Sequence, residues 1–217
     1  MTRRYSAGPP VEAESSMSRY PIELDLRGKT VVVVGLGAVG RRKAAGLVEA
    51  GARVIGIDPA PVELPIEIIA EPYRAEHLEG ASLAFTAATP EVNRRVVADA
   101  RARGIWVNSS SDPSAGDFSL PATWRDGPIT LTVSTSGASP ALATILRDHA
   151  SAALAPSASG LAGLLLELRP EVLATIADPE ARRRALAEVA DPRWLDLLAS
   201  EGPEVTLKRL RFALGLD

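Results

Sequence analysis

A doubly wound parallel α/β sheet is the fold class predicted for the first half of this chain, on three observations. A β-branched run, Thr30 to Val34, stands between glycines. Strand-like and helical segments then alternate as far as residue 108. A turn of regularly spaced glycines joins the first strand to the first helix. Alternation of this kind puts crossover helices on the faces of one parallel sheet.

Each element has its own signal. Thr30–Val34 is apolar after its first residue, as in a strand buried on both faces. Residues 38–50 have helical spacing, with Val39, Ala44, Leu47 and Val48 on one side and Gly51 as the stop. Arg53–Ile57 reads as a second strand, Ile66–Ala70 as a third and Leu83–Ala87 as a fourth. A helix over 91–103 leads to a fifth strand, Ile105–Val107. The pattern changes after Asn108. Residues 109–117 are a loop rich in Ser, Asp, Pro and Gly. Pro128–Ser134 alternates, with Ile129, Leu131 and Val133 on one face, and predicts a half-exposed strand of a smaller sheet. Ser139-Pro140 reads as an N-cap and a first-turn proline, opening a helix that runs to Leu154. From 157 onward Leu, Ala, Arg and Glu dominate, and Pro170, Pro179, Pro192 and Pro203 punctuate the segment into short helices. Residues 1–19 show no periodicity and predict a disordered extension, with Met17 as a candidate true start.

Composition removes several classes of function. The formal net charge of -3 argues against a polyanion-binding surface, so nucleic acid is not an expected partner. Without cysteine there can be no disulfide, thiolate metal site or Cys nucleophile, which fits a reducing compartment. No apolar run reaches the roughly 20 residues that cross a bilayer, and no apolar stretch follows Arg3 and Arg4, so a cytoplasmic protein is expected. The Arg182–Arg184 run is read as a solvated helix face.

The glycine turn is Gly35-Leu36-Gly37-Ala38-Val39-Gly40, a G-x-G-x-x-G loop directly after a strand and at the start of a helix. In that setting the first glycine permits the tight turn. The second lets a diphosphate approach the backbone, and the third lets the helix pack close to the sheet. Free N–H groups and the helix dipole favour the phosphate charge. Asp58 ends the second strand, where a carboxylate accepts hydrogen bonds from the adenosine ribose and repels a 2′-phosphate. NAD is therefore expected over NADP, with Arg41 and Arg42 softening the preference. The expected domain is of the Rossmann type. Thr89, at the carboxyl edge of the fourth strand, is either a dinucleotide contact or the N-cap ahead of Pro90.

Several segments together resemble the precorrin-2 dehydrogenase / sirohydrochlorin ferrochelatase family, the N-terminal module of siroheme synthase. They are residues 20–26 (YPIELDL), 34–44 (VGLGAVGRRKA), 87–93 (AATPEVN), Val107-Asn108, 117–121 (DFSLP) and 134–141 (STSGASPA). The resemblance covers residues 20 to 154. It implies an NAD-dependent oxidation of precorrin-2 to sirohydrochlorin by a homodimer, with no membrane association. It also implies a Rossmann-type domain over 20–112, a small α+β dimerisation region over 113–154 and a helical C-terminal domain over 155–217. A substrate rich in carboxylates suits hydroxyls and backbone amides, which Asn108, Ser109, Ser110, Ser111, Ser134, Thr135, Ser136 and Gly137 supply. Relatives carry a hydroxyl residue linked to regulation or substrate binding at the place of Thr135.

One position departs from the family. Its proposed catalytic aspartate stands three residues after the asparagine matching Asn108; here that residue is Ser111, and Asp112 is next. Either Asp112 takes the role after a shift of the loop, or it caps the turn made with Pro113. Metal insertion needs a base and a delivering group, and the chain offers only His77, in what reads as a surface turn, and His149 on a helix. No metal-ligand spacing is recognisable, so no metal site is assigned. Two other readings stand beside the dehydrogenase: a dinucleotide-sensing regulator without turnover, and a chelatase with a vestigial NAD site.

Overall fold

The computed structural model describes residues 19–216. Of the extension expected at residues 1–19, residues 1–18, with the candidate start at Met17, lie outside the described residues. The chain divides into two compact units, one ending at Leu120 and the other beginning at Pro121.

The first unit contains β1 (Thr30–Val34), α1 (Ala38–Glu49), β2 (Arg53–Ile57), β3 (Glu67–Ile69), β4 (Leu83–Thr86), α2 (Pro90–Ala102) and β5 (Trp106–Ser109), with a 3-10 turn at Ala75–Leu78. All pairings in the five-stranded sheet are parallel, in the order β3-β2-β1-β4-β5. From β1 the chain winds outward through β2 and β3. It then returns to start β4 on the other side of β1. That reversal opens a crevice at the carboxyl ends of β1 and β4, where ligands bind in open α/β sheets.

β1 holds the two faces together because alternate valines point opposite ways. Val32 and Val34 join Val96, Val97 and Ala100 of α2. Val31 and Val33 pack with Ala44 and Leu47 of α1 and with Phe85. Each such buried side chain contributes about 1.5–3 kcal/mol. The packed face of α1 is narrower than the spacing suggested: Gly40, Ala44 and Leu47 are buried, but Val39 and Val48 are 38% and 41% exposed. Each of those valines lies one residue, about 100° of rotation, away from the buried row. His77 also differs from expectation. It sits in the 3-10 turn with its side chain only 7% exposed. Its Nδ1 accepts from the Arg74 N–H, so Nε2 carries the proton that reaches Glu71 at 2.8 Å.

In the second unit β6 (Ala122–Asp126) and β7 (Ile129–Val133) form an antiparallel hairpin. Gly127, at φ +51, takes the turn position that a side chain would strain. The unit continues with α3 (Pro140–Ala152), α4 (Ala158–Thr175), α5 (Pro179–Glu188) and α6 (Arg193–Ala213). The Ser139 hydroxyl caps α3 by accepting from the Leu142 N–H at 3.2 Å. Asp178 caps α5 in the same way through Ala181 at 2.8 Å. Leu161, Leu168, Val172, Val189, Trp194, Leu210 and Leu214 form the helical core. The four prolines do not all end helices. Pro179 and Pro192 stand at helix starts, but Pro170 is inside α4, and Pro203 follows a break in α6 at Gly202 (φ 81, ψ 176). No helix among the described residues is long and apolar enough to cross a membrane.

The packing of α1 on the sheet depends on Gly40, where an added Cβ would lie 1.8 Å from the Gly35 carbonyl oxygen. Gly40→Ala is expected to cost about 2–3 kcal/mol in urea unfolding through overpacking against backbone. Gly46→Ala, in the same helix with nothing within 4 Å of the new carbon, is expected to gain about 0.5–1 kcal/mol.

Candidate functional site

The glycine loop turns the chain from β1 into α1 over the crevice. Gly35 adopts φ +88, and a Cβ there would come within 2.6 Å of the Ala87 carbonyl carbon. Only glycine lets the first and fourth strands' loops touch at this point. Gly37 is different: an added Cβ would meet nothing within 4 Å, so its backbone faces open space. It is also the N-cap of α1, in an extended conformation with no side-chain cap and no acidic residue in the first turn. The leading amides of Ala38, Val39 and Gly40 therefore point their donors, and the positive end of the helix, into a cradle that a side chain would fill. A diphosphate fits that cradle.

Asp58 closes the other side. Its Oδ2 accepts from the Leu36 N–H at 2.6 Å, and its Oδ1 accepts from the Ala60 N–H at 2.9 Å. The carboxylate thus pins the glycine loop to the end of β2, and each oxygen keeps a lone pair for a ribose hydroxyl. Arg41 Nε donates to the Leu36 carbonyl at 2.9 Å, which holds a guanidinium beside the same loop. The Thr89 hydroxyl accepts from the Val92 N–H at 3.4 Å with Pro90 at the first helical position, so Thr89 is the N-cap of α2.

The far wall is built on two asparagines. Asn93 is 1% exposed. Its Oδ1 accepts from the Thr86 hydroxyl and from the Ala88 N–H. Its Nδ2 donates to the Ala88 carbonyl at 3.2 Å and to Ser111 Oγ at 2.9 Å. The backbone N–H of Ala88 can only donate, so the amide cannot flip. Ser111 must accept from it and keeps its own hydrogen for another partner. Asn108 is fixed in the same way: Nδ2 donates to the Phe118 carbonyl at 2.9 Å, and Oδ1 accepts from Lys43 Nζ at 2.6 Å. Buried Ser109 accepts from the Asp112 N–H at 3.3 Å, and Ser110 is exposed.

Asp112 points into its own turn. Its Oδ1 accepts from the Ser114 N–H at 3.0 Å, the Ser114 hydroxyl at 2.5 Å and the Ala115 N–H at 3.3 Å. The Ser114 hydroxyl, its backbone amide and that of Ala115 hold this exposed carboxyl below its ordinary range.

Two positions that sequence reasoning passed over stand here. Lys43 is an isolated charge in the buried row of α1, three residues after Gly40, and that placement was its only signal. Asn93 lay inside a recognised segment, but the chain pattern did not show that it reaches Ser111.

In the second unit residues 134–137 form the turn before α3. Thr135 Oγ1 donates to the Ser139 carbonyl at 3.1 Å and accepts from the Ser139 N–H at 3.2 Å, so this hydroxyl shapes the turn. Ser134 Oγ accepts from the Ser136 N–H at 3.3 Å. Ser136 and Gly137 both have positive φ, 53 and 90. Among the described residues no group of three or more His, Asp or Glu could hold a metal ion.

A family model described as NAD(P)-binding matches residues 22–122, and one described as sirohaem biosynthesis protein central matches 126–149. Siroheme synthase 1 of Halorhodospira halophila is 36% identical over 81% of this chain and 38% of its own length. Siroheme synthase of Photobacterium profundum is 32% identical over 84% of this chain and 41% of its own. The chain thus spans about two fifths of the length of these relatives. A solved structure of SirC, a precorrin-2 dehydrogenase, superposes with a TM-score of 0.72 at 24% identity, over 89% of this chain and all of that one, and shares the fold.

The Asn93 network sets a measurable expectation. Asn93→Ala strands buried donors and acceptors and is expected to cost about 2–4 kcal/mol in urea unfolding. Ser111→Ala, at the exposed end of the same chain of bonds, is expected to cost no more than about 1 kcal/mol.

Proposed function

The chain belongs to the siroheme synthase family, in the part that carries the NAD(P)-binding and central modules, and on that membership we propose that it oxidises precorrin-2 to sirohydrochlorin with NAD. The observation that carries this reading is the uncapped glycine cradle with Asp58 pinned to it. Bound there, NAD would accept hydride from the reduced tetrapyrrole. The leading amides of α1 bind the diphosphate. Asp58 takes the ribose hydroxyls, and its charge disfavours a 2′-phosphate, which selects NAD. Thr89 borders the cofactor as a helix cap whose hydroxyl hydrogen is free to donate.

On the substrate side, Ser111 offers a hydrogen-bond donor whose direction Asn93 sets. Asn108 holds the end of β5. Taken by itself, the second unit has a turn at Ser134, Thr135, Ser136 and Gly137 that, with the first amides of α3, suits a carboxylate. Asp112 is the carboxylate available to take up the proton lost with the hydride. With its carboxyl lowered by the Ser114 bonds it is a weak base in this turn, and it must release Ser114 to act.

The engaged Asp112 also favours a second reading, a dinucleotide sensor that does not turn over. Iron insertion into sirohydrochlorin is a further activity raised by the resemblance. His77 is paired to Glu71, and His149 Nδ1 contacts the Ile145 carbonyl, so neither stands in a ligand cluster.

A homodimer is part of the proposal. On α3 the side chains of Leu142, Ile145 and Leu146 are 45%, 53% and 45% exposed along one face, the pattern of a helix that meets a partner.

Mixing the protein with precorrin-2 and NAD and following absorbance at the NADH band tests the activity. A rise in NADH is expected, and its absence with intact NAD binding would leave the sensor. Asp112→Asn is expected to lower turnover by about tenfold or more with NAD affinity unchanged. Equal turnover would remove Asp112 from the proton step. Light scattering during size exclusion is expected to show a dimer that Ile145→Glu converts to a monomer.

A further inference from the structure

Lys43 has an environment that the reaction so far described does not use. It projects from the sheet-facing side of α1, half-buried, with its ammonium 5.4 Å from the centre of the Phe85 ring and 2.6 Å from Asn108 Oδ1. Both partners are neutral. Among the described residues no carboxylate lies within ion-pair distance of it, and the charge that acts on it, Arg42, has the same sign.

A lysine normally keeps its ammonium in water on a flexible stem. Here burial disfavours the charged form, and Arg42 adds to that effect. The bond to Asn108 and the Phe85 ring offset part of that cost, but no opposite charge among the described residues does. The position is also fixed, because Asn108 cannot flip while its Nδ2 donates to the Phe118 carbonyl. One ammonium hydrogen is used and two remain. An anion delivered to this point would meet a desolvated cation already held in place, where a charge-assisted bond is stronger than at an open surface.

Two anions could reach it, a dinucleotide phosphate or a substrate carboxylate. Lys43 lies about one helical turn beyond Gly40, and its bond is to the end of β5 rather than to the glycine cradle. We propose that Lys43 is a carboxylate anchor: clamped by Asn108 over Phe85, it binds one acid side chain of the tetrapyrrole. This rests on the functional reading above, which supplies a polycarboxylate substrate.

The test measures sirohydrochlorin binding to the full chain by absorbance titration without cofactor, beside NAD binding by calorimetry and KM for precorrin-2. Lys43→Gln keeps a donor for Asn108 and removes the charge; Lys43→Arg keeps the charge. Lys43→Gln is expected to weaken sirohydrochlorin binding and raise KM by about tenfold, with NAD affinity and melting temperature unchanged and most of the loss recovered in Lys43→Arg. Unaltered sirohydrochlorin binding in Lys43→Gln overturns the anchor. So does a loss of NAD affinity that matches the loss of tetrapyrrole affinity, because the charge would then serve the dinucleotide. If Lys43→Gln does not fold, Lys43→Arg decides alone, and a tenfold loss there with the charge retained also overturns it. Wild-type protein that binds NAD but no tetrapyrrole refutes the functional reading, and the anchor with it.

Discussion

The approach of Gly40 to the carbonyl of Gly35 is the constraint on which the first unit depends. With no side chain between them, α1 starts against the end of β1, and its leading amides are aimed over the crevice rather than away from it. Asp58 acts on the same loop from the other side, since its bond to the Leu36 N–H ties the loop to the end of β2. A helix set farther out would keep its dipole but lose this aim, and the carboxylate would lose the amide that orients it. Packing and binding geometry are therefore one property here, set by a missing methyl group.

Opposite this cradle, direction is set by polarity rather than by close packing. Asn93 and Asn108 are each locked by one partner that can only donate and one that can only accept. The effect passes to Ser111 and Lys43, which receive a defined role from amides behind them. Buried amides of this kind are costly when half satisfied and directional when fully satisfied. The crevice wall uses them in the second way.

Much of this was legible in the chain, for physical reasons. The Val31–Val34 run and the glycine spacing are local signals, and local signals survive without coordinates. β6 was not anticipated, because Trp124, Arg125 and Asp126 give a short edge strand little alternation. Pro170 misled because packing around Leu168 and Val172 holds α4 as a helix through it, whereas Pro203 does mark a break, made at Gly202 just before it. Asp112 was open between two roles on sequence alone, since whether an Asp-Pro carboxylate faces its own turn depends on the hydroxyl of Ser114. Lys43 and Asn93 were passed over because their meaning lies in partners 65 and 18 residues away.

The loop after β5 has a second consequence. Val107, on an outer strand of the sheet, gives its N–H to Asp117 Oδ2 and accepts from the Asp117 N–H through its carbonyl. The segment that supplies Ser111 thereby also occupies the N–H and C=O of Val107, which would otherwise be free to recruit a foreign strand. Natural variation in this loop is answerable to solubility as well as to chemistry. A change that loosened Asp117 would leave a sticky margin on the sheet even if every ligand contact survived, so selection against self-association narrows what the loop can become.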